Sequence, residues 1–191
     1  MERSISRILG IAAASAIVAV GAPAAVSAQT AAQTAAGASA ARVPVSTMYQ
    51  LQNVQTAKCL TIAGGVSTAN NVLSVQYNCD SDYSRRWTIS DYTGTGQFQI
   101  RNVQTGKCLT IAGGVSTANN VDALQFTCDS DPSRRWTILD YTGTGQYQIR
   151  NVQTGKCLTI AGGVSTDNNV RGLQFTCDAD PSRRWTVKLA G

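Results

Sequence analysis

Histidine is absent from the 191-residue sequence, and Glu2 is its only glutamate. The chain therefore lacks the side chain that most often serves as a general base and most often binds metal ions. Aspartate, lysine and tyrosine remain as conceivable catalysts, but no partner arrangement accompanies them, and no paired carboxylates lie in a context typical of glycoside hydrolysis. We expect a protein without enzymatic activity and without a cofactor.

Charge is also scarce. Charged residues make up 14% of the chain, with 16 Lys plus Arg against 11 Asp plus Glu, which gives a net charge of +5. The basic residues form no run and are spread along the chain, as Lys107, Arg134 and Arg135 illustrate. Nucleic-acid binding favours a concentrated basic face with interleaved aromatic residues. We therefore expect no nucleic-acid partner.

The N-terminal segment has the order of a secretory signal peptide. Two arginines precede an apolar run over residues 8–20, and small residues stand at positions 26–28. This order predicts cleavage after Ala28. A transmembrane anchor is the alternative, but the run is shorter than the roughly 20 residues that a span requires. We expect residues 1–28 to be removed, which leaves a net charge of +4, and the mature protein to be secreted and extracellular with no membrane span.

The remainder of the chain repeats itself. Residues 29–47 are rich in Ala, Thr and Gln, and we interpret them as a flexible linker. Near-identical segments then begin at Tyr49, Phe98 and Tyr147, 49 residues apart, and the first reads YQLQNVQTAKCLTIAGGVSTANN. A fixed period of this length indicates a repeat architecture. The sequence thus predicts one domain over residues 48–191, made of repeats 49–97, 98–146 and 147–191.

The six cysteines follow the same period, with two in each repeat, 20 residues apart: Cys59 and Cys79, Cys108 and Cys128, Cys157 and Cys177. In a secreted chain an even, regular set of this kind predicts disulfides. The sequence does not prove the pairing, but repeat symmetry makes one bridge inside each repeat the simplest arrangement. Zinc binding is the competing use of paired cysteines. It is disfavoured because the chain has no histidine and no closely spaced CxxC pair, so we expect no metal site.

Apolar and polar residues alternate within each repeat, and this period of two predicts β-strands. In the second repeat the predicted strands cover residues 98–103, 107–112, 123–128 and 134–140, separated by turns rich in Gly, Asn, Asp and Pro. A β-propeller blade also has four strands, but the smallest propellers need about four blades. Three repeats favour an all-β fold, a β-trefoil in which six strands close a barrel and three hairpins cap one end.

Each repeat also carries a set of residues at fixed positions. The second contains Gly-Lys-Cys-Leu from Gly106, Ser-Thr-Ala-Asn from Ser116, an aromatic residue two positions before Cys128, and Trp136 eight positions after it. This pattern resembles that of the ricin-B-type β-trefoil lectins, including the carbohydrate-binding modules of secreted bacterial glycosidases. The resemblance covers the chain from Tyr49 to its C-terminus. It implies a β-trefoil that binds sugars.

All three repeats depart from the family's sugar pocket in the same way. Threonine replaces the sugar-binding Asp at Thr61, Thr110 and Thr159. The Gln of the Gln-x-Trp motif is replaced by Arg85, Arg134 and Arg183, and the Asn before it by Ser84, Ser133 and Ser182. A threonine still forms hydrogen bonds, but an uncharged contact contributes less than a contact with a charged group.

The arginine of the altered motif implies a partner. On a strand Arg134 would share a face with Trp136, and a buried guanidinium needs a carboxylate. Asp129 and Asp131 are the nearest candidates. We hypothesise that an Asp–Arg pair replaces the family's Gln in holding the turn before the fourth strand. The same Asp-x-Asp turns fall short of the about six to eight oxygens that calcium takes.

The resemblance and the recurring polar residues together give the candidate carbohydrate-binding residues. They are Thr61, Gln76, Tyr77, Asp82, Thr110, Gln125, Phe126, Asp131, Thr159, Gln174, Phe175 and Asp180. Phe126 follows Leu124 at strand spacing, so packing in the core is an alternative to a sugar platform. The three tryptophans are expected in the core: Trp87, Trp136 and Trp185.

These observations predict a secreted, non-catalytic carbohydrate-binding protein with up to three equivalent sites, whose partner is a polysaccharide or glycan. Weak single sites would gain from trivalency. The alternative is a protein-binding or structural β-trefoil that has lost sugar binding and contacts a protein or a cell-envelope component. The missing Asp in every repeat favours this alternative.

Overall fold

The computed structural model describes residues 47–190 as twelve β-strands and three short 3₁₀ helices, four strands and one helix per repeat. The strands are β1 Met48–Asn53, β2 Cys59–Ile62, β3 Ser74–Tyr77, β4 Trp87–Asp91, β5 Phe98–Asn102, β6 Cys108–Ile111, β7 Val121–Phe126, β8 Trp136–Asp140, β9 Tyr147–Asn151, β10 Cys157–Ile160, β11 Gly172–Phe175 and β12 Trp185–Leu189. The helices are Tyr83–Arg85, Pro132–Arg134 and Pro181–Arg183. The predicted signal peptide and all but the last residue of the predicted linker lie outside the described residues.

Six strands close into a ring. Antiparallel pairs run from β1 through β4, β5, β8, β9 and β12 back to β1. The closing pair joins the first strand to the last, from Tyr49 opposite Leu189 to Asn53 opposite Trp185. A closed ring leaves no open sheet edge, so the first and third repeats are tied to each other by a full ladder of backbone hydrogen bonds.

The other six strands form the three hairpins β2–β3, β6–β7 and β10–β11. The hairpins contact one another, because β7 pairs with β11 and single bridges join Leu73 to Leu124 and Val75 to Arg171. A six-stranded barrel with three joined hairpins is the predicted β-trefoil. The prediction is confirmed.

Equivalent residues of the three repeats fill the core. Trp136 is fully buried, as expected, and its indole Nε1 donates a 2.9 Å hydrogen bond to the carbonyl oxygen of Leu109. A buried indole needs such an acceptor, because its N–H loses water on folding. Trp87 and Trp185 are equally buried and donate to the carbonyl oxygens of Leu60 and Leu158.

The repeats differ in sequence where their hairpins meet. Equivalent positions carry Leu73, Asp122 and Arg171, and Nη1 of Arg171 lies 2.9 and 3.1 Å from the two carboxylate oxygens of Asp122. At the next position Gly172 lies against the hydroxyl of Ser74, where an added Cβ would collide with that oxygen. A larger residue at position 172 would therefore force Ser74 to move.

Each repeat contains one disulfide, as predicted: Cys59–Cys79, Cys108–Cys128 and Cys157–Cys177. In the second repeat Cys108 begins β6 and is paired with Phe126, two residues before Cys128. The bridge therefore closes the open end of the β6–β7 hairpin. No cysteine within residues 47–190 is left free.

The fourth strand of each repeat begins two residues later than the alternation predicts. Residues 132–134 form a 3₁₀ turn, and β8 begins at Trp136. Residues 132–134 form this turn rather than a strand because Asp131 caps the turn and Pro132 supplies a fixed φ at its first position. The predicted strand face shared by Arg134 and Trp136 is therefore wrong.

Candidate functional site

Each repeat contains a groove between its hairpin and its 3₁₀ helix. We call them grooves 1, 2 and 3 after their repeats, and their volumes are about 420, 240 and 310 Å³. The equivalent residues that line them are Thr61, Tyr77, Asp82, Ser84 and Arg85 in groove 1, Thr110, Phe126, Asp131, Ser133 and Arg134 in groove 2, and Thr159, Phe175, Asp180, Ser182 and Arg183 in groove 3. Of the four candidate residues in each repeat, the structure brings the threonine, the aromatic residue and the aspartate together.

Asp131 caps the 3₁₀ helix beside groove 2. One carboxylate oxygen accepts a 2.8 Å hydrogen bond from the backbone N–H of Ser133, and the side chain is 51% exposed. The hydroxyl and the backbone N–H of Ser133 lower the pKa of Asp131 below its ordinary value of 3.8, partial burial opposes them, and the charge of Arg134 lowers it further. The group is thus an ionised acceptor that half faces the groove. The pKa of the equivalent carboxyls is lowered in the same way: Asp82 and Asp180.

Arg134 is held between two carboxylates and an aromatic ring. Its Nη1 lies 3.2 Å from an oxygen of Asp129 and 3.2 Å from an oxygen of Asp131. The predicted Asp–Arg pair is therefore confirmed, and both aspartates take part. The guanidinium carbon lies 4.3 Å from the centroid of the Phe126 ring. These contacts offset the cost of burying the charge of a side chain that is only 12% exposed.

Phe126 is neither fully buried in the core nor fully exposed as a platform for a sugar. Its ring is partly buried, lines groove 2, and has the guanidinium of Arg134 over one face. That face is closed to a sugar. Ring and guanidinium together form one wall of the groove, and the equivalent pairs are Tyr77 with Arg85 and Phe175 with Arg183.

Thr110 lies at the floor of groove 2, only 3% exposed. Its hydroxyl donates a 3.0 Å hydrogen bond to the carbonyl oxygen of Ser133 and lies 3.2 Å from the Ser133 hydroxyl. The position where the family carries its Asp is thus used here to tie β6 to the 3₁₀ helix. Thr61 and Thr159 make the same contacts, so we do not propose the three threonines as ligand contacts.

Gln125 lies outside the groove and is fully buried. Its Nε2 donates 2.7 Å hydrogen bonds to the carbonyl oxygens of Ser67 and Ala69, in the preceding repeat, and its Oε1 accepts one from the hydroxyl of Thr105. The amide is occupied by the protein itself, which leaves nothing for a sugar. Gln76 and Gln174 have equivalent partners, so we leave the three glutamines out of the ligand contacts as well.

Each groove receives a wall from another repeat. Asn71 of the first repeat lines groove 2, Asn120 of the second lines groove 3, and Asn169 of the third lines groove 1. All three are exposed and have φ between 65° and 67°, a left-handed conformation that asparagine tolerates better than most residues. Two glutamines also come from other repeats, Gln104 to groove 1 and Gln55 to groove 3.

A glycine pair shapes the hairpin loop at the rim of each groove. In the second repeat Gly114 has a φ of +76°, and a Cβ there would lie 3.3 Å from the hydroxyl oxygen of Ser133. The positive φ and the close approach both favour glycine. The backbone of the loop can therefore lie directly against the 3₁₀ helix.

Within residues 47–190, no cluster of three or more Cys, Asp, Glu or His side chains is placed to hold a metal ion. The same residues include no helix with the length and apolar character needed to cross a membrane.

The sequence matches the model of one protein family. The family is described as ricin-type beta-trefoil lectin domain-like, and the matches cover residues 39–126, 91–172 and 132–191. The chain belongs to this lectin family. No curated protein matches the sequence significantly.

Solved structures with the same fold include an enzyme, a designed protein and a ricin B-like lectin. The exo-beta-1,3-galactanase of Clostridium thermocellum is 26% identical with a TM-score of 0.71, and the alignment covers 76% of this chain and 31% of the enzyme. The designed threefold-symmetric protein ThreeFoil is 21% identical with a TM-score of 0.69, over 74% of this chain and 97% of that one. A ricin B-like lectin of Macrolepiota procera, solved with lactose, is 17% identical with a TM-score of 0.63. The alignment covers 75% of this chain and 96% of the lectin.

Asn119 and Asn120 belong to the recurring polar set that favours sugar binding, but sequence reasoning did not predict that one repeat lines the groove of another. An Asn-Asn doublet recurs in every repeat, as Asn119 and Asn120 in the second, but the groove that it enters depends on how the hairpins pack. The one local signal is the turn preference of asparagine for a positive φ.

Proposed function

We propose that this lectin-family protein is a secreted, non-catalytic carbohydrate-binding protein that binds a polysaccharide or glycan through grooves 1, 2 and 3. One observation carries the proposal: an ionised, half-exposed carboxylate and an aromatic ring recur in all three grooves of a lectin fold. Three equivalent weak sites on one chain suit a ligand with repeated units, because each later contact is intramolecular.

The polar groups of each groove match the chemistry of a sugar. In groove 2 the carboxylate of Asp131 accepts hydrogen bonds from hydroxyl groups, and the amide of Asn71 both donates and accepts. The exposed part of the Phe126 ring offers apolar contact to C–H groups. The ligand contacts that we propose from the earlier candidates are the three aspartates and the three aromatic rings: Asp82, Asp131, Asp180, Tyr77, Phe126 and Phe175.

The balance of charge favours neutral sugars over acidic ones. The guanidinium of Arg134 faces two carboxylates, those of Asp129 and Asp131, so each set carries one excess negative charge. A uronate or sulfate group brought into such a groove would be repelled. We therefore expect a neutral polysaccharide to bind more tightly than its acidic counterpart.

The state of the carboxylates argues against glycoside hydrolysis. A glycosidase needs one carboxyl group with a raised pKa that keeps its proton and acts as a general acid. Ser133 and Arg134 instead lower the pKa of Asp131, so this group holds no proton at neutral pH. Its partner Asp129 is occupied by the same arginine.

Extracellular location is supported by two features. Three disulfides in one small domain are typical of proteins that fold in an oxidising compartment. The N-terminal segment has the composition of a signal peptide. N-terminal sequencing of the protein exported by an expressing host tests this, and a mature chain that starts near residue 29 is the expected result.

One of the fold neighbours is an enzyme that acts on a polysaccharide, and it suggests the first ligand to try. It is an exo-beta-1,3-galactanase, so β-1,3-galactan is the first polysaccharide of the panel. Lactose, which was bound to the Macrolepiota procera lectin, provides a small soluble competitor.

Affinity electrophoresis through gels that contain β-1,3-galactan, other neutral polysaccharides or polygalacturonate tests the proposal. We expect retardation by at least one neutral polysaccharide. The triple variant Asp82→Asn, Asp131→Asn, Asp180→Asn keeps a capping side chain at each helix and should lose at least tenfold in affinity. A matched control changes the exposed Asp91 and Asp140 to Asn and should bind as the parent does.

A protein-binding or structural role is the second candidate, and a specific observation favours it. The guanidinium covers one face of each aromatic ring, and each threonine that replaces the family's Asp is buried and bonded internally. Failure of the folded wild-type chain to be retarded by any polysaccharide in the panel would overturn the carbohydrate proposal and support this candidate.

A further inference from the structure

We infer that the second asparagine of each Asn-Asn doublet binds the ligand in the groove of the next repeat, and that the buried glutamine of that next repeat positions it there. The pairs are Asn71 with Gln125 in groove 2, Asn120 with Gln174 in groove 3, and Asn169 with Gln76 in groove 1. This inference rests on the proposed function, because it assigns residues to the same grooves.

The side chain of Asn71 is available to a ligand. The residue is exposed, and its side-chain amide has no hydrogen-bond partner within residues 47–190. It lines groove 2 together with Asp131 and Phe126. An amide with both a donor and an acceptor, in the same groove as a carboxylate that only accepts, allows the two residues to contact different hydroxyl groups of one sugar.

The other asparagine of the doublet has a different use. In the second repeat Asn119 accepts hydrogen bonds of 2.9 and 3.1 Å from the backbone N–H and the hydroxyl of Thr176. Asn70 similarly accepts from Thr127 at 3.1 Å. In these two repeats the first asparagine joins two repeats, whereas the second makes no side-chain hydrogen bond within residues 47–190. This contrast within one doublet separates an intramolecular contact from a ligand contact. The third repeat differs, because Oδ1 of its first asparagine, Asn168, is buried without a hydrogen-bond partner among the described residues.

Gln125 fixes the loop that carries Asn71. The backbone N–H of Asn71 donates to the carbonyl oxygen of Gln125 at 2.9 Å. The backbone N–H of Gln125 in turn donates to the carbonyl oxygen of Val72, also at 2.9 Å. The side chain adds two 2.7 Å hydrogen bonds, to the carbonyl oxygens of Ser67 and Ala69. Four bonds from one residue therefore hold both ends of the loop and set the place of the Asn71 side chain.

No groove is built from one repeat alone, and each aspartate works with an asparagine from the preceding repeat. Repeat 3 precedes repeat 1 in this cycle, because Asn169 lines groove 1. Closure of the trefoil therefore completes the first groove.

The test uses a chain in which only groove 2 retains its carboxylate. The substitutions Asp82→Asn and Asp180→Asn disable grooves 1 and 3, and calorimetry measures binding of a soluble fragment of the polysaccharide that retains the wild type, β-1,3-galactotriose in the first instance. Asn71→Gly is then added, because glycine keeps the positive φ and removes only the amide. We expect at least a tenfold loss of affinity.

The matched control is Asn120→Gly in the same background. This residue has the same conformation but lines groove 3, which is already disabled, so affinity should not change. Equal affinity of the Asn71→Gly variant and its parent, or a loss caused by Asn120→Gly instead, would overturn the assignment while leaving the proposed function in place. Failure of the wild-type chain itself to bind any saccharide would overturn both.

A double-mutant cycle tests the positioning role of Gln125. The variant Gln125→Asn shortens the amide, and we expect it to weaken binding at least fivefold when Asn71 is present. In the Asn71→Gly background it should have no further effect, because there is no side chain left to position. An equal loss in both backgrounds would show that Gln125 acts only through general stability, and it would overturn the positioning role.

Discussion

Gln125 donates a 2.7 Å hydrogen bond from its Nε2 to the carbonyl oxygen of Ser67, a residue 58 positions earlier and in the preceding repeat. The same bond recurs between Gln174 and Ser116 and between Gln76 and Ser165. These fully buried amides therefore link the three repeats into a cycle. They serve the fold and the grooves together, because each holds the loop that forms a groove wall.

Replacing Gln125 with Glu should strongly destabilise the protein. The substitution turns a donor into a charged acceptor that faces the carbonyl oxygens of Ser67 and Ala69. We expect a loss of at least about 3 kcal/mol in the free energy of unfolding, measured by urea denaturation. Gln104→Glu is the control, since this residue is exposed, and it should change stability by less than about 0.5 kcal/mol. Similar stabilities of the two variants would contradict the role given to Gln125.

Removing the charge of the capping aspartates should change how stability depends on pH. The pKa of Asp131 is lowered in the folded state, so its stabilising effect is present above the ordinary value of 3.8 and is lost as the pH falls through the lower folded value. Asp131→Asn should therefore lower stability at neutral pH, by up to about 1 kcal/mol because the ion pair is half exposed.

Thermal denaturation from pH 7 down to pH 2 measures this effect. The difference in Tm between the wild type and Asp131→Asn should stay constant above about pH 4 and shrink below it. Asp129→Asn tests the second partner of Arg134. If neither substitution lowers Tm at pH 7, the proposed Asp–Arg support of the turn is wrong.

Arg101 and Gly106 should be energetically coupled. The Arg101 Nε donates to the carbonyl oxygen of Gly106 at 2.8 Å, and a Cβ on this glycine would lie 3.2 Å from Nη2. The first repeat carries Gln52 and Ala57 instead, and the shorter side chain makes the equivalent 2.8 Å bond. Gly106→Ala should cost less stability in the Arg101→Gln background than alone, by at least about 0.5 kcal/mol. Strict additivity in urea denaturation would count against the coupling.

Each disulfide should contribute independently to stability. The bridges close separate hairpins, so the double substitution Cys108→Ser, Cys128→Ser leaves the other two in place. We expect a loss of about 2–4 kcal/mol in the free energy of unfolding. The losses for the second and third repeats should add when both bridges are removed, and additivity would confirm independence. Complete unfolding of either variant at 25 °C would instead indicate that the repeats depend on every bridge.

The sequence predicted the fold well because the fold follows from period and alternation. A period of 49 residues, two cysteines in each repeat and short alternating strands leave few architectures open. The fourth strand was misplaced because Asp131 and Pro132 favour a capped turn, and alternation alone does not detect a cap. Local turn chemistry prevailed over the strand pattern.

The grooves were predictable only in part. The aspartates and aromatic rings recur in every repeat, and repetition indicated them. Thr110 and Gln125 have the polarity of ligand contacts, but both are buried, because burial depends on how the hairpins pack and not on the local sequence. Asn71 enters groove 2 from another repeat, and no pattern within one repeat reveals a contact that crosses to the next.

Calorimetric titration of the wild-type chain with a soluble fragment of the polysaccharide that it binds tests the central claim most directly. Three grooves with the same carboxylate and aromatic ring predict about three fragments bound per chain. Each single Asp→Asn substitution at Asp82, Asp131 or Asp180 should lower that number by about one. A wild-type stoichiometry of zero, or one that the three substitutions leave unchanged, would contradict the account.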